Sequence, residues 1–293
     1  MNDQAERLRT RLKEEDSRNH QVKTIAVVSG KGGVGKSNFS LNFSISLCRT
    51  GHRVLLFDLD IGMGNLEILM GRSAKYSIAD FLEKNIPLKN IISEGPFGLD
   101  YIGGGTGLSH FVKLDAGQIS RFTDELADLI QNYDYIIFDM GAGITEESAK
   151  FILSVQEIAV ITTPEPTSIT DAYSVMKHIH LLDGTIPFHL VINRSEGERE
   201  GKETYKRISA VLSRFLGRKA DLLGIIPDDR TVQQAVKRQI PFILHQGNSA
   251  ASKAIRNMTE KVGGRPIGHT GEHHSVQFIS KLKEFLFNRG EPA

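Results

Sequence analysis

The sequence has no tryptophan, one cysteine and no hydrophobic run of membrane-spanning length. Because Cys48 is alone, no disulfide can form within the chain, which fits a reducing cytosol. The longest apolar runs, at 135–140 and 157–162, match strands and fall far short of the ~20 residues of a membrane helix. Residues 1–20 mix acidic and basic side chains without an apolar core, unlike a signal peptide. Any membrane contact is therefore expected to be peripheral.

The chain also lacks an excess of either charge. Its 36 Lys and Arg residues and 35 Asp and Glu residues leave a formal net charge of +1. That balance gives no sign of a generally basic, nucleic-acid-binding surface or of an acidic tail. With 293 residues, 40% of them hydrophobic, the chain is long enough to bury a sizeable core. We therefore expect a globular protein whose function depends on local sites.

Short β-branched runs alternate with longer helical segments along most of the chain. The runs are apolar throughout, which is typical of strands covered on both faces. Strand–helix alternation predicts right-handed βαβ units, so we expect one α/β domain over 22–262 with a doubly wound, mostly parallel sheet flanked by helices. The predicted strands are 24–29, 53–58, 98–103, 135–140, 157–162, 188–193 and 221–227.

Helices are predicted between these strands, and two of them have a recognisable start. Asp115 precedes one helical segment and Ser168 another, and both residue types are favoured as N-caps. Outside the domain lie an N-terminal segment at 1–21, a breaker-rich linker at 263–275 and a C-terminal segment at 276–293.

The stretch between the first strand and the first helix fits the phosphate-binding pattern G-x-x-x-x-G-K-[ST]. Its glycines let several backbone N–H groups point at phosphate oxygens, and the following helix adds its positive N-terminal end. Lys36 is expected to reach the β- and γ-phosphates, and Ser37 to ligate Mg²⁺. The predicted nucleotide-binding residues of this loop are Gly30, Lys31, Gly32, Gly33, Val34, Gly35, Lys36 and Ser37.

Carboxylates follow two of the predicted strands. Asp58 and Asp60 end the second strand, and Asp139 follows the apolar run at 135–138. A carboxylate at the end of a buried strand is costly unless it meets a metal or a hydrogen-bond donor. We therefore predict that Asp58 and Asp139 join Ser37 in a Mg²⁺ site, with a mobile Gly-Ala-Gly turn after Asp139.

Three motifs together resemble the deviant Walker A ATPases, the family of the division-site protein MinD and the partition ATPase ParA. They are GKGGVGKS at 30–37, DLDIGMGNLEILMG at 58–71 and DMGAG at 139–143, the last two similar to the family's switch segments. The resemblance covers roughly residues 24–262. One position departs from it, since Gly141 stands where many MinD-like proteins have proline.

The resemblance implies a catalytic set and a site for the base. Lys31 is similar to the signature lysine, which crosses an ATP-dependent dimer interface to the phosphates of the second subunit. Asp60 would position the attacking water, Lys36 would act on the phosphates, and Asp139 would hold Mg²⁺ through water. The remaining family positions lie in VINR and IPDD, where the residues implied to contact adenine are Asn193, Pro227 and Asp228.

From the residues alone, a second cation supplied late to a phosphoryl transfer would speed it, as an arginine finger does. The alternative is that Lys31 is an ordinary solvated lysine of the loop. The sequence alone leaves both open.

The C-terminal segment has the periodicity of an amphipathic helix. Its apolar face consists of Phe278, Ile279, Leu282, Phe285 and Leu286. Such a helix either docks on its own domain or lies in a membrane interface with basic residues near the headgroups. MinD-like proteins end in a similar membrane-targeting helix, so the resemblance implies the second role.

The N-terminal stretch DQAERLR at 3–9 resembles the D-Q-A-x-x-L-R element of the FlhG (FleN, YlxH) family of flagellar regulators. That element stimulates the GTPase of FlhF, a protein of the signal-recognition-particle type. The resemblance therefore implies a partner-activating segment, consisting of Asp3, Gln4, Ala5, Leu8 and Arg9. Read without the family, a short apolar stripe of this kind would fold only on a partner.

Taken together, the sequence predicts an FlhG-like, Mg²⁺-dependent ATPase that binds ATP and ADP. It is expected to form a homodimer with ATP and to act in the cytoplasm and at the inner face of the cell membrane. Its expected partners are an FlhF-type GTPase, flagellar basal-body components and membrane lipid, without nucleic acid. Two alternatives remain, a MinD protein of division-site selection and a ParA-like DNA partition ATPase.

Overall fold

The computed structural model describes residues 22–60, 65–104, 115–264 and 274–287. The predicted partner-activating residues Asp3, Gln4, Ala5, Leu8 and Arg9 therefore lie outside the described residues, as does most of the predicted linker.

The seven predicted strands are confirmed, and the apolar runs at the centre of the sheet are buried on both sides. In β2 every residue is buried, and in β1 and β6 every residue after the first is buried. In β5 the first six residues are buried. The strands are β1 Lys23–Ser29, β2 Val54–Leu59, β3 Ser93–Glu94, β4 Asp100–Ile102, β5 Tyr135–Ala142, β6 Glu157–Thr162, β7 Phe188–Ser195 and β8 Ala220–Pro227.

The sheet has the order β3-β4-β2-β5-β1-β6-β7-β8, and every pairing is parallel except that of β3 with β4. The sequence did not predict β3, because it consists of two residues at the sheet edge with no apolar run. β1, β2 and β5 lie side by side at the centre, so the loop after β1 and the carboxylates after β2 and β5 meet at one edge.

Helices cover both faces of the sheet. One face packs against α3 to α7 and α11, and the other against α1, α2 and α8 to α10. The helices are α1 Lys36–Arg49, α2 Leu66–Met70, α3 Ile78–Lys84, α4 Ala116–Ile130, α5 Glu146–Ser154, α6 Pro166–Leu182, α7 Glu198–Leu216, α8 Arg230–Lys237, α9 Phe242–His245, α10 Ala250–Gly263 and α11 His274–Phe287.

Of the two predicted N-caps, one is confirmed and one is wrong. The Asp115 carboxylate accepts the Gln118 N–H at the start of α4. Helix α6, however, begins at Pro166 with Glu165 at its N-cap, three residues before the predicted N-cap. Ser168 is instead buried within the first turn, where its hydroxyl bonds to Thr162 and accepts the Thr163 N–H. Proline fits the first helical position because the N–H that it lacks has no partner there.

The predicted C-terminal helix forms and docks on the domain. Phe278, Leu282 and Leu286 of α11 are buried between α4 and α5, and the Phe278 ring lies 5.5 Å from the ring of Phe138 on β5. Ile279 and Phe285, the other two residues of the predicted apolar face, are only partly buried. Of the two alternatives raised by the sequence, docking is the arrangement in this structure.

Among the described helices, none combines the length and the apolar character needed to cross a membrane.

Candidate nucleotide site

The loop between β1 and α1 turns sharply at two of its glycines, as the glycine pattern predicts. Gly33 and Gly35 adopt left-handed conformations, with φ of 78° and 94°, which disfavour any side chain. A methyl group at Gly35 would also lie 2.3 Å from the side-chain nitrogen of Asn193. That amide donates to the Val34 carbonyl at 2.7 Å, so the end of β7 holds the loop in place.

Lys36 opens α1 and points back into the protein. Its ammonium group is buried and donates to Asp139 Oδ1 at 2.8 Å. The Ser40 hydroxyl, one turn further along α1, donates to the same oxygen at 2.9 Å. The sequence motif does not include Ser40, although its spacing of four residues from Lys36 places both side chains on one face of the helix.

The two predicted metal-site carboxylates lie directly opposite each other. Asp58 on β2 pairs in register with Asp139 on β5, and both side chains are almost completely inaccessible to solvent. Their Oδ2 atoms accept no hydrogen bond from any described residue. Burial and the neighbouring Asp139 charge together raise the pKa of Asp58 to about 7, against the opposing effects of the Asp60 N–H and the Lys36 charge. The pair therefore has the Lys36 ammonium group nearby, and a further cation beside the two Oδ2 atoms would stabilise the carboxylates in their charged form.

Asp60 lies at the mouth of this carboxylate pair. Its backbone N–H donates to Asp58 Oδ1 at 3.0 Å, and its carboxylate is 3.9 Å from the Lys36 ammonium. Burial raises the pKa of Asp60, although the Lys36 charge opposes that effect. Gly141 faces Asp60, since a methyl group there would lie 3.4 Å from Asp60 Oδ1.

The segment after Asp139 differs from the predicted turn. Gly141 and Ala142 continue β5, and Ala142 pairs with Ser29 of β1 after a register shift. The left-handed turn comes one residue later at Gly143, whose N–H donates to the Ser29 carbonyl at 3.0 Å. A backbone N–H at this end of β5 thus lies beside the loop.

A cleft of about 340 Å³ opens above these groups. We call it the loop cleft, and the predicted site residues that line it are Gly32, Gly33, Gly35, Lys36, Ser37 and Asp60. Mg²⁺ typically binds one or two carboxylates and substrate phosphates and keeps several waters. Ser37 in this cleft and the unsatisfied oxygens of Asp58 and Asp139 below it fit such an ion.

A second cleft of about 650 Å³ adjoins the first, and we call it the side cleft. All three predicted base-contacting residues, Asn193, Pro227 and Asp228, line it. Arg194 lines both clefts and has a left-handed backbone, with φ of 55°, which is uncommon for a residue with a side chain. Arg194 is the last residue of VINR, but the resemblance assigns it no contact, because its position between the two clefts is visible only in the fold.

Lys31 is the predicted residue that the structure places apart from the others. Its ammonium group donates to Glu165 Oε2 at 2.6 Å and to Thr167 Oγ1 at 3.2 Å, both at the start of α6. Among the described residues that line the loop cleft, Lys31 is absent. Lys36 is therefore buried against Asp139, whereas Lys31 lies at the surface against Glu165.

Comparison with known proteins gives matches over most of the chain. A family described as the CobQ/CobB/MinD/ParA nucleotide binding domain matches residues 25–242. The chain is 32% identical over 263 residues to the antiactivator FleN of Pseudomonas aeruginosa, covering 90% of this chain and 94% of that protein. It is 33% identical over 247 residues to the flagellum site-determining protein YlxH of Helicobacter pylori, covering 82% and 83%.

Solved structures give the same picture of the fold. The septum site-determining protein MinD of Pyrococcus horikoshii, determined as a complex with Mg-ADP, superposes with a TM-score of 0.67. The two sequences are 25% identical, and the match covers 83% of this chain and 96% of that one.

The raised pKa of Asp58 predicts a pH-dependent stability of the nucleotide-free protein. A carboxyl whose pKa is higher in the folded state stabilises the fold at low pH, and this contribution is lost as the pH rises towards about 7. Asp58→Asn should therefore be stabilising relative to wild type at pH 8 and less so at pH 5. Between these values the difference should change by at most about 1.4 kcal/mol per pH unit.

Urea unfolding in the absence of Mg²⁺ and nucleotide measures this difference. Asp128→Asn removes an exposed carboxylate from α4 and serves as the matched control. If Asp58→Asn follows wild type in parallel from pH 5 to pH 8, the electrostatic description of the carboxylate pair is wrong.

Proposed function

The chain belongs to the CobQ/CobB/MinD/ParA nucleotide-binding family, and from that premise we propose that it is an ATP-dependent, dimerising ATPase that regulates the number and placement of flagella. The observation that carries the proposal is the loop with two lysines in two different environments. Lys36 is buried against Asp139, while Lys31 extends from the surface towards α6.

The chemistry of the two clefts supports ATP as the substrate. The loop cleft offers backbone N–H groups, Lys36 and the N-terminal end of α1, which together suit phosphates. The adjoining side cleft, bounded by Asn193, Pro227 and Asp228, has the size and the mixed lining of a nucleoside site. Asn193 lines the side cleft and also donates to the Val34 carbonyl of the loop. One residue would therefore contact the base in the side cleft and hold the loop that binds the phosphates.

Ser37, Asp58 and Asp139 would hold Mg²⁺ in this proposal. When bound, the ion would supply positive charge that offsets the negative charge of the phosphates during transfer. The Lys36 ammonium group donates to Asp139 at 2.8 Å and lies 3.9 Å from the Asp60 carboxylate, and phosphate oxygens would give it a further acceptor. Asp60 borders the loop cleft near Lys36, where its carboxylate can accept a hydrogen bond from an attacking water and orient it.

Lys31 is the residue that makes hydrolysis depend on a second copy. Its ammonium group lies outside its own loop cleft, on a partly exposed surface beside α6. A cation supplied across an interface stabilises the charge that develops in phosphoryl transfer, as an arginine finger does. We therefore assign Lys31 to the site of the other subunit in an ATP-bound homodimer.

The C-terminal helix α11 supplies the proposed membrane contact. Its docked position buries Phe278, Leu282 and Leu286, each worth ~1.5–3 kcal/mol when fully buried. A lipid interface would keep that burial and add the partly exposed Ile279 and Phe285. Docked and membrane-bound states are then close in free energy, and two helices on one dimer favour the membrane through avidity.

The ion pairs of α11 oppose this exchange only weakly. Lys281 lies 3.8 Å from Asp183 and Lys283 lies 3.3 Å from Asp124, and all four side chains are partly exposed. Exposed pairs of this kind contribute ~0–1 kcal/mol, and anionic headgroups would replace the lost carboxylates.

The flagellar assignment rests on the relatives and on the N-terminal segment. YlxH is described as a flagellum site-determining protein and FleN as an antiactivator, and both align along most of the chain. The stretch DQAERLR at 3–9 matches the element expected to activate an FlhF-type GTPase. Basal-body components are the further partners of this proposal, and nucleic acid is not among them.

Lys31→Ala should abolish stimulated ATP hydrolysis while ATP binding remains. Wild-type turnover per subunit should rise with protein concentration, because each site needs a second copy, and the variant should stay at the low basal rate. Lys36→Ala is the contrasting variant, since it should weaken ATP binding itself. The measurement is ATPase rate against protein concentration together with equilibrium binding of ATP. Full, concentration-dependent turnover by Lys31→Ala would remove Lys31 from the mechanism.

Liposome sedimentation tests the role of α11. Deleting residues 274–293 should abolish ATP-dependent sedimentation with anionic liposomes and leave ATP binding in place. Replacing Ile279 and Phe285 with glutamate should have the same effect while sparing Phe278, Leu282 and Leu286, which anchor the docked helix. A deletion variant that still sediments in ATP would show that another part of the chain binds lipid.

GTPase stimulation tests the N-terminal segment. The wild-type protein should raise the GTP turnover of an FlhF-type GTPase, and Gln4→Ala should lose most of that effect. Glu6→Gln changes a neighbouring variable position of the D-Q-A-x-x-L-R element and should retain it. Equal stimulation by wild type and Gln4→Ala would remove Gln4 from the activation, whereas no stimulation by either protein would contradict the flagellar assignment and favour a division-site role.

A further inference from the structure

The resting position of Lys31 is the contact from which we infer a further function of the chain. The Lys31 ammonium group bonds to the Glu165 carboxylate and to the Thr167 hydroxyl of its own subunit. At 2.6 Å, the Lys31–Glu165 contact is as short as any ion pair described in the chain. A lysine that acts on a second subunit is therefore bound elsewhere before that subunit arrives.

Backbone packing explains why Lys31 emerges beside α6. The preceding residue, Gly30, lies so close to this helix that a methyl group there would be 2.2 Å from the Asp171 carbonyl carbon. The Ser29 hydroxyl donates to the Lys31 carbonyl at 3.0 Å and fixes the next peptide. With its backbone held on both sides, Lys31 has only its side-chain rotamers with which to change partner.

The start of α6 would repel a lysine if Glu165 were absent. The N-terminal end of a helix carries partial positive charge, which disfavours a nearby cation. Arg194 adds a full positive charge close enough to act on Glu165. The hydrogen bond and the charge of Lys31, with a smaller effect of Arg194, lower the pKa of the Glu165 carboxyl. Glu165, as the N-cap residue, is thus the group that makes this position favourable for Lys31.

We propose that Glu165 is a positioning residue that holds Lys31 away from the interface and sets the protein concentration at which the ATP-bound dimer forms. The inference rests on the proposed function, because it requires Lys31 to act in trans. The Lys31 ammonium group has three N–H donors, and Glu165 and Thr167 take two of them, so it can bind phosphates of another subunit with more than one N–H only by leaving this contact. Each subunit must exchange one anionic partner for the other, so the Lys31–Glu165 pair opposes dimerisation twice per dimer.

Glu165→Gln keeps the shape of the side chain and removes its charge. The concentration of protein at half-maximal ATPase turnover should fall by about 2- to 30-fold, the range expected when two exposed ion pairs no longer oppose the dimer. Turnover at saturating protein should be unchanged, since Glu165 contacts no reacting group. Glu165→Asp keeps the charge on a shorter side chain and should give a smaller change.

The matched control is Glu203→Gln, which breaks the exposed Arg199–Glu203 pair of α7, 3.1 Å long, without touching the loop. It should leave the half-maximal concentration as in wild type. ATP binding to each variant, measured at low protein concentration, shows whether the loop remains intact.

Two results would separate this inference from the proposed function. If Glu165→Gln has the wild-type or a higher half-maximal concentration while Lys31→Ala abolishes turnover, Glu165 does not restrain Lys31 and only this inference is overturned. If Lys31→Ala retains full turnover, the proposed function is overturned, and the inference with it.

Discussion

Two buried carboxylates on adjacent strands are the constraint around which the site is organised. Asp58 and Asp139 face each other in register at the centre of the sheet, almost wholly inaccessible to solvent. Buried charges of the same sign are tolerated only with cations or donors beside them. Lys36 and Ser40 satisfy one oxygen of Asp139, and the Oδ2 atoms of both carboxylates accept no hydrogen bond from described residues. The fold thus leaves two buried carboxylate oxygens without a described donor, at the place where we propose that Mg²⁺ binds.

The same constraint explains why the loop needs two lysines. Lys36 is committed to the buried carboxylates and to any phosphate that enters the loop cleft. Lys31, near the start of the same loop, is bound to the partly exposed carboxylate of Glu165 and can change partner by moving its side chain. A buried lysine gives affinity within one subunit, whereas a surface lysine can link hydrolysis to association.

Helix α11 can likewise exchange one partner for another. Its apolar face packs on the domain in the docked position and would remain buried in a lipid interface.

Residues at strand ends and in the loop could be predicted from the sequence because local chemistry determines them. Left-handed glycines, a lysine at the helix start and carboxylates after apolar strands each have a physical signature along the chain. Ser40, Arg194 and Glu165 could not be predicted, because their roles come from neighbours far away in sequence. Ser168 has the residue type of an N-cap, but its hydroxyl bonds to Thr162 at the end of β6 instead. The amphipathic stripe of α11 indicates that one face of the helix is covered, but it does not indicate whether the protein or a lipid interface covers it. The docked position of α11 therefore could not be predicted from the sequence.

The central claim is that each active site is completed by Lys31 of another subunit, and mixing two inactive variants tests it most directly. Lys31→Ala lacks the donated lysine, and Asp60→Ala lacks the residue that orients water. In a mixed dimer, the site on the Lys31→Ala subunit has its own Asp60 and receives Lys31 from the other subunit. An equimolar mixture should therefore recover roughly one quarter of wild-type turnover per subunit, since half of randomly formed dimers are mixed and each holds one complete site. No recovery on mixing, with dimer exchange verified, would mean that Lys31 acts within its own subunit and would contradict the account.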